Sequence, residues 1–314
     1  MNNPYCRICL HPVDSGQDYH PACCRKLFGT SYPPSLPYSW KQINAMAEQI
    51  VRQHVTVPGV QPKLSVHLDR GGHGQDARLT LVGLEGGYVL KPPVERFPGM
   101  PELEHLTMCM ARVFGISTAE CGLIPLEDGR LSFITRRMDR VGHVKLHMED
   151  MCQLTDRLTE QKYRGSLEQV GKAILRYCAN PLFDALRFFE VTLFCFLTGN
   201  ADMHLKNFSL IYKPGGDVAL SPAYDLLPTA LLLPEDKEET ALTLNGRKRH
   251  LSRENFAQFG AALKLTGKQI ENTRDRFRKK LPAALDTLER GCCSADAADQ
   301  FKALIEQRAK RLEF

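Results

Sequence analysis

No stretch of this 314-residue sequence stays apolar for anything near the ~20 residues needed to cross a bilayer, which argues against a membrane span. The opening "MNNPYCRICL" has neither a basic n-region nor an apolar h-region, so no secretory signal is expected and the expected location is the cytoplasm. Charge of one sign is not in large excess. The formal net charge of +5 does not by itself argue for nucleic acid and suits an anionic small ligand equally well. Internal repeats and long low-complexity segments are lacking. A disulfide framework is not indicated either: the eleven cysteines are an odd number, most lie singly in helical-looking segments, and they read as reduced thiols. What remains is an ordinary globular composition, 43% apolar and 25% charged, in a chain long enough for two lobes with real cores.

Composition divides the chain into a Cys/His-rich leader (1–29), a β-rich lobe (30–138) and a helical lobe (139–314). "TSYPPSLPYSW" (Thr30–Trp40) reads as a Pro/Ser-rich linker. Helical period follows over 41–54. Short β-branched runs with Gly breaks then predict strands in "VTVPGVQPKLSVHLD", "RLTLVGLEGGYVLKPP" and "CGLIPLEDGRLSFITRRM", interrupted by one helix over 101–116. Beyond Asp139, helical spacing recurs at 167–179, 181–198, 252–263, 267–288 and 295–312. "EDKEETALTLNGRKRH" is expected to be a polar surface loop or hairpin, and "RDRFRKK" and "EQRAKRLEF" solvated basic faces. The expectation is an α+β, bilobal fold, with a small β-rich N-lobe, a larger helical C-lobe and any ligand cleft between them.

The stretch that carries chemistry is "LTGNADMHLKNFSL" (Leu197–Leu210), fed by the apolar run "FFEVTLFCFL". A buried helix ending there holds the loop rigidly. Asp202 can accept a proton from a hydroxyl nucleophile, and Asn207 can offer an amide oxygen to a metal. "LSPAYDLLPT" supplies a second acid, Asp225. Two acids and an amide on adjacent loops suit Mg²⁺, which prefers oxygen ligands shared with phosphate. Either Asp202 or Asn207 alone reads equally as a turn cap; the whole constellation does not.

Three motifs, "VPGVQPKLS", "GNADMHLKNFS" and "SPAYDLLPT", resemble the HipA-like serine/threonine kinases, the toxins of bacterial HipBA-type toxin–antitoxin systems, over roughly residues 50–290. The short HipT-like members, which lack an N-terminal subdomain of full-length HipA, are the most similar and share the Cys/His leader. The ordinary kinase signatures G-x-G-x-x-G, H-R-D and D-F-G are absent, so the resemblance is to this divergent branch. It implies that ATP and Mg²⁺ are used. Val57, Gly59, Val60, Gln61 and Lys63 match the family's loop over the ATP phosphates, although Pro58 and Pro62 lack N–H donors. Lys91 matches the lysine that reaches the α/β-phosphates, and Glu104 its acidic partner. "FITRRMDR" matches the hinge, where Arg136 and Met138 would contact adenine through their backbone and Asp139 would reach the ribose. The family often has an acid and an aromatic where this chain has Arg136 and Met138. Asp202 would orient and deprotonate the substrate hydroxyl, Asn207 and Asp225 would hold Mg²⁺, His204 would lie near the nucleotide, and Lys206 would face the transferred phosphoryl group.

The resemblance further implies a protein substrate, with an aminoacyl-tRNA synthetase leading, growth arrest as the consequence, a HipB-like DNA-binding antitoxin and a small HipS-like subunit as partners, and no direct nucleic-acid binding by this chain. HipA-like kinases are silenced by autophosphorylation beside the phosphate loop. Thr56 occupies the first position of the S-x-S pair of short members and Pro58 the second. Thr56 therefore reads either as an autophosphorylation site or as a strand residue.

In the leader, Cys6, Cys9, His20 and Cys23 give C-x2-C-x10-H-x2-C, with Cys24 adjacent. That is zinc-knuckle spacing and reads as structural Zn²⁺, the alternative being a reduced Cys-rich turn. Two other function classes stay open: a small-molecule kinase, which should show an acid-rich pocket after the catalytic loop, and a pseudokinase or binding module, against which Lys91, Asp202, Asn207 and Asp225 count.

Overall fold

The computed structural model describes residues 4–53, 61–71, 77–82, 86–142 and 144–314. They fall into two compact units.

The first unit comprises Met1–Cys109, Ala119–Arg137 and Glu289–Ser294. Its helices are α1 (Pro21–Phe28), α2 (Trp40–Gln53) and the greater part of α3 (Met100–Val113). Its sheet is fully antiparallel, in the order β2-β1-β3-β5-β4, from β1 (Leu64–Asp69), β2 (Arg78–Leu81), β3 (Tyr88–Lys91), β4 (Cys121–Pro125) and β5 (Leu131–Arg136). Alternation sets the faces: Leu64, Val66 and Leu68 point into the core while His67 and Asp69 face out. Leu64 pairs with Leu90 and Val66 with Tyr88. An Asp-Gly turn joins β4 to β5, with Gly129 at φ 83°, a left-handed conformation that glycine adopts at little cost.

Both sheet edges are covered, which removes the unpaired backbone that would invite aggregation. At β4, the Leu123 N–H donates to the Arg7 carbonyl (2.8 Å) and the Tyr19 hydroxyl donates to the Leu123 carbonyl (2.8 Å). At β2, the Ser35 N–H donates to Ala77 and the Leu79 N–H to Ser35, both at 2.8 Å. The stretch expected as a linker is therefore an edge cover, with Leu36 only 5% exposed. The leader shares one core with the sheet: Cys6, Ile8, Tyr19, Cys24, Leu27 and Phe28 cluster with Leu64, Val66, Leu90, Ile124 and Ile134. Each large apolar side chain so buried stabilises by about 1.5–3 kcal/mol.

The second unit comprises Met110–Thr118, Met138–Leu288 and Ala295–Phe314. It holds β6 (Arg140–Val141), β7 (Val144–Lys145), β8 (Met148–Asp150), α4 (Met151–Leu154), α5 (Leu167–Tyr177), α6 (Pro181–Leu197), β9 (Ser209–Tyr212), β10 (Val218–Leu220), α7 (Thr229–Leu232), α8 (Arg253–Ala262), α9 (Gly267–Leu285) and α10 (Ala295–Leu312). Helix α6 is the central element: twelve of its seventeen residues are buried, so it is apolar nearly all round. Its two buried acids are paired, Asp184 with Arg187 (2.8 Å) and Glu190 with Arg276 (2.6 Å). Ser166 and Thr266 cap α5 and α9 in reciprocal capping boxes with Gln169 and Gln269. No described helix is long and apolar enough to cross a membrane.

Two expectations need correction. "EDKEETALTLNGRKRH" is anchored, not a free loop: Glu239, Ala241, Leu242 and Leu244 are buried. Arg274 and Arg308, read as parts of solvated basic faces, are 8% and 7% exposed. Arg274 pairs with Glu271 and donates to the Leu312 carbonyl, and Arg308 faces Glu239.

Candidate active site

In the first unit, the end of β3 and the first half of α3 bring together two opposite charges. Lys91 Nζ lies 2.5 Å from Glu104 Oε1, with Lys91 3% and Glu104 0% exposed, and the ammonium also lies 5.3 Å from the Phe133 ring centroid. A buried pair of this kind is costly to desolvate and is weak support for a purely stabilising role. Gln61 and Lys63 sit just before β1. Lys63 is exposed, whereas Gln61 Nε2 is buried and has no hydrogen-bond partner among the described residues. Arg136 ends β5, exposed, with its Nη1 3.5 Å from the Lys26 carbonyl. Thr56, Val57, Gly59 and Val60 lie outside the described residues.

In the second unit, α6 ends at Thr198, and Gly199 turns the chain at φ 71°, where a Cβ would meet Leu304 Cδ2 at 2.5 Å. The loop that follows is internally bonded. Asp202 N–H donates to Asn200 Oδ1 (3.2 Å), and the Asp202 carbonyl accepts from His204 N–H (2.8 Å) and Asn207 Nδ2 (3.0 Å). Asn207 is 6% exposed; with its Nδ2 engaged, Oδ1 is the atom left to ligate a cation. Asp202 is half-buried, and its Oδ1 accepts a 2.7 Å hydrogen bond from the Tyr163 hydroxyl.

Asp225 is held against the same loop. It adopts φ 60°, uncommon for a non-glycine residue, and its carbonyl faces Asn200 Nδ2 at 3.5 Å. Its neighbour Tyr224 bonds Ser209 Oγ (2.7 Å) and the Lys206 carbonyl (2.9 Å), and Ala201 N–H donates to Thr229 Oγ1 (2.8 Å). Strain of this sort persists where the surroundings over-determine it, often at functional sites.

His204 is buried, and burial lowers its pKa; the charges of Asp202 and Asp225 oppose the shift without reversing it. Its Nδ1 has no hydrogen-bond partner among the described residues, and the Tyr163 ring meets it edge-on at 5.2 Å. Lys206 reaches Asp150 Oδ2 at 2.7 Å, and Asp150 Oδ1 caps α4. Its ammonium is thus directed to a carboxylate of the protein. Met138 is half-buried, and Asp139 is 9% exposed with its carbonyl accepting from Leu146 N–H.

The structure thus collects Asp202, His204, Asn207 and Asp225 in the second unit and Lys91 with Glu104 in the first. The oxygen donors Asp225 and Asn207 Oδ1 fit Mg²⁺, and His204 Nδ1 and Gln61 Nε2, without partners among the described residues, fit polar ligand atoms. Sequence reasoning missed Tyr163, Asn200, Asp150 and Tyr224. Asn200 and Tyr224 lie within the motifs that carry Asp202 and Asp225, whereas Tyr163 and Asp150 are brought in by folding, Tyr163 from 39 positions before Asp202 and Asp150 from 56 before Lys206.

A second cluster lies in the leader. One ligand atom from each of Cys6, Cys9, His20 and Cys23 lies within 4.8 Å of all the others. Among the described residues no cysteine is in a disulfide.

A β-rich unit with a buried Lys–Glu pair and a helical unit with an acid–amide loop define a kinase-like α+β fold. The family model for the HipA-like C-terminal domain matches residues 55–285, and the chain belongs to that family. Two relatives share the name "Putative kinase". Y4dM of Sinorhizobium fredii is 30% identical over 270 residues, 80% of this chain and 65% of its own length. A Haemophilus influenzae protein is 29% identical over 260 residues, 76% and 72% respectively. The serine/threonine-protein kinase toxin HipA of Shewanella oneidensis is 26% identical over 197 residues, 56% of this chain and 43% of the toxin. The chain thus spans about two thirds of the first two and under half of the third. Among solved structures, Shewanella oneidensis HipA, in complex with HipB and operator DNA, superposes with a TM-score of 0.68 at 20% identity, covering 85% of this chain and 71% of that one. The Helicobacter pylori proinflammatory kinase CtkA gives 0.54 at 14% identity, covering 74% and 87%. At these identities the structures establish the fold.

Proposed function

We propose that this chain is a HipA-like protein kinase that transfers the ATP γ-phosphate to a serine or threonine hydroxyl of a cytosolic protein. The observation that carries the reading is the 2.7 Å bond from the Tyr163 hydroxyl to Asp202: the carboxylate lies where a hydroxyl can approach it and give up its proton. Asn207 Oδ1 and Asp225 would hold Mg²⁺, whose chemistry is to neutralise charge on the phosphates. Lys91, fixed by Glu104, would hold phosphate oxygens, and Gln61, Lys63 and the segment carrying Val57, Gly59 and Val60 would cover them. Arg136, Met138 and Asp139 would receive the nucleoside, and His204, kept neutral by burial, would donate to or accept from it. Lys206 would reach a phosphoryl group only by leaving Asp150.

The relative's complex with HipB supports a HipB-like antitoxin as partner, and a separate HipS-like subunit is proposed only from the resemblance to the HipT-like members. Resemblance makes an aminoacyl-tRNA synthetase the leading target and growth arrest the outcome. Thr56 is the proposed site of self-inhibition, because a phosphate there would repel bound nucleotide.

The test is incubation of the purified chain with γ-labelled ATP and Mg²⁺, alone and with cell lysate, beside Asp202→Asn, followed by mass spectrometry. Label on Thr56 and on one lysate protein, reduced on the order of 10²-fold in the variant, is expected. One observation favours a second reading, a nucleotide-binding module without transfer. Lys206 Nζ is already engaged by Asp150 Oδ2 at 2.7 Å. Nucleotide binding with no labelled product would select it.

A further inference from the structure

The Cys/His leader is the feature that phosphate transfer does not use. Its four side chains are arranged as a ligand set. Cys9 Sγ lies 3.4 Å and Cys23 Sγ 3.8 Å from His20 Nδ1, and the His20 N–H donates to Cys6 Sγ at 3.4 Å. Tetrahedral zinc with bonds of about 2.0–2.3 Å sets its ligand atoms somewhat under about 4 Å apart, so little closure is needed from the present spacing. The other imidazole nitrogen, Nε2, lies 2.8 Å from the Pro12 carbonyl. Donating there leaves Nδ1 bare and aimed at the sulfurs, which is the outer-shell support typical of metal-bound histidine. Cys24, adjacent in sequence, is fully buried in the apolar core and is not part of the set.

The turn between the first two cysteines is also a structural junction. The Arg7 carbonyl accepts from Leu123 N–H on the edge strand β4 (2.8 Å). The Ile8 carbonyl faces His105 Nε2 (3.2 Å) and accepts from Cys109 Sγ (3.5 Å), one turn apart on α3. His105 follows Glu104, the buried partner of Lys91. The turn closes through Leu10 N–H to the Cys6 carbonyl (2.9 Å), with Leu10 itself at φ 59°. A leucine in the left-handed region is unfavourable unless something else fixes the turn.

We propose that Cys6, Cys9, His20 and Cys23 bind one structural zinc ion, and that the filled site braces α3 and β4 through the carbonyls of Ile8 and Arg7. This stands on the leader's own geometry and does not depend on what Lys91 and Glu104 bind. Three thiolates and a neutral imidazole saturate the ion, leaving no position open for substrate, so the site is structural and not catalytic.

The test uses the full chain purified without added chelator. Elemental analysis should return one zinc per chain. Cys9→Ser and Cys23→Ser should lose it, while Cys24→Ala and Cys293→Ala keep it. His20→Cys, which retains four soft ligands, should keep zinc where His20→Ala does not. This rescue separates ligation from folding. Replacement by Co²⁺ should give the visible bands of a tetrahedral thiolate site. Hydrogen exchange before and after chelation reads the brace: peptides of α3 and β4 should lose protection while those of α6 do not. Absence of zinc from the wild-type chain, or its retention in both serine variants, overturns the site. Unchanged exchange in α3 and β4 after complete zinc removal overturns the brace.

Discussion

On the proposed kinase reading, the Tyr163 hydroxyl at Asp202 stands where the substrate hydroxyl would stand. Burial and the Asp202 charge push the Tyr163 phenol pKa up, so it remains a donor at any physiological pH. A substrate must displace it, giving up one hydrogen bond with a net value of about 0.5–1.5 kcal/mol. Tyr163→Phe is therefore expected to raise kcat/KM for protein substrate by roughly 2- to 10-fold with KM for ATP unchanged. Initial rates at low substrate decide it, and a fall would make Tyr163 an orienting group. The sequence displays Asp202, Asn207 and Asp225 because they come in short motifs whose chemistry is local. It does not display Tyr163 or the Lys206–Asp150 pair, because those partners are assembled by tertiary contacts. The same residue scale carries a stability prediction. Glu104→Gln removes the carboxylate charge beside the buried Lys91 ammonium, and a loss of about 3 kcal/mol is expected in urea unfolding.

Among elements, the helices were the most legible, because each signals its ends. The spacing predicts 181–198 and α6 runs Pro181–Leu197; it predicts 295–312 and α10 covers the same residues. Strand β8, three residues long, offers no alternation to read. The segment around Glu239 was misjudged because its anchor is remote. Arg311 reaches both carboxylate oxygens, Arg308 lies 3.5 Å away and Leu251 N–H donates at 2.9 Å. Burial pushes the Glu239 carboxyl up, but the bonds from Arg311 and Leu251 and the charge of Arg308 outweigh it and hold it below the ordinary value. A carboxylate depressed on folding stabilises fully above its unfolded value, here 4.5, and that contribution is lost as pH falls through the folded value. Glu239→Gln should cost about 3 kcal/mol at pH 7 and flatten the acid limb of the stability profile below pH 4.5. Urea midpoints at pH 7 and pH 4 measure both; an unchanged acid limb would remove Glu239 from the account.

For the whole molecule, the decisive property is that the groups proposed to handle the nucleotide are divided between two compact units. Lys91 and Glu104 belong to one, Asn207 and Asp225 to the other. A ligand that engages native groups stabilises by RT ln(1 + [L]/Kd), about 2.7 kcal/mol at a hundredfold excess over Kd. For units of this size that is a rise of roughly 5–10 °C in Tm. The two variants should divide the effect. If Lys91 holds phosphate as proposed, a contact that does not need the cation, Lys91→Met should abolish the shift with ATP alone and with Mg²⁺·ATP. If Asp225 ligates the cation as proposed, Asp225→Asn should leave the ATP shift while erasing the increment from Mg²⁺. Because two units need not melt together, the shift should be read separately on each transition. A Mg²⁺ increment that survives Asp225→Asn would take the cation away from this loop. An ATP shift that survives Lys91→Met would leave the buried Lys91–Glu104 pair as a structural bond of the sheet and α3.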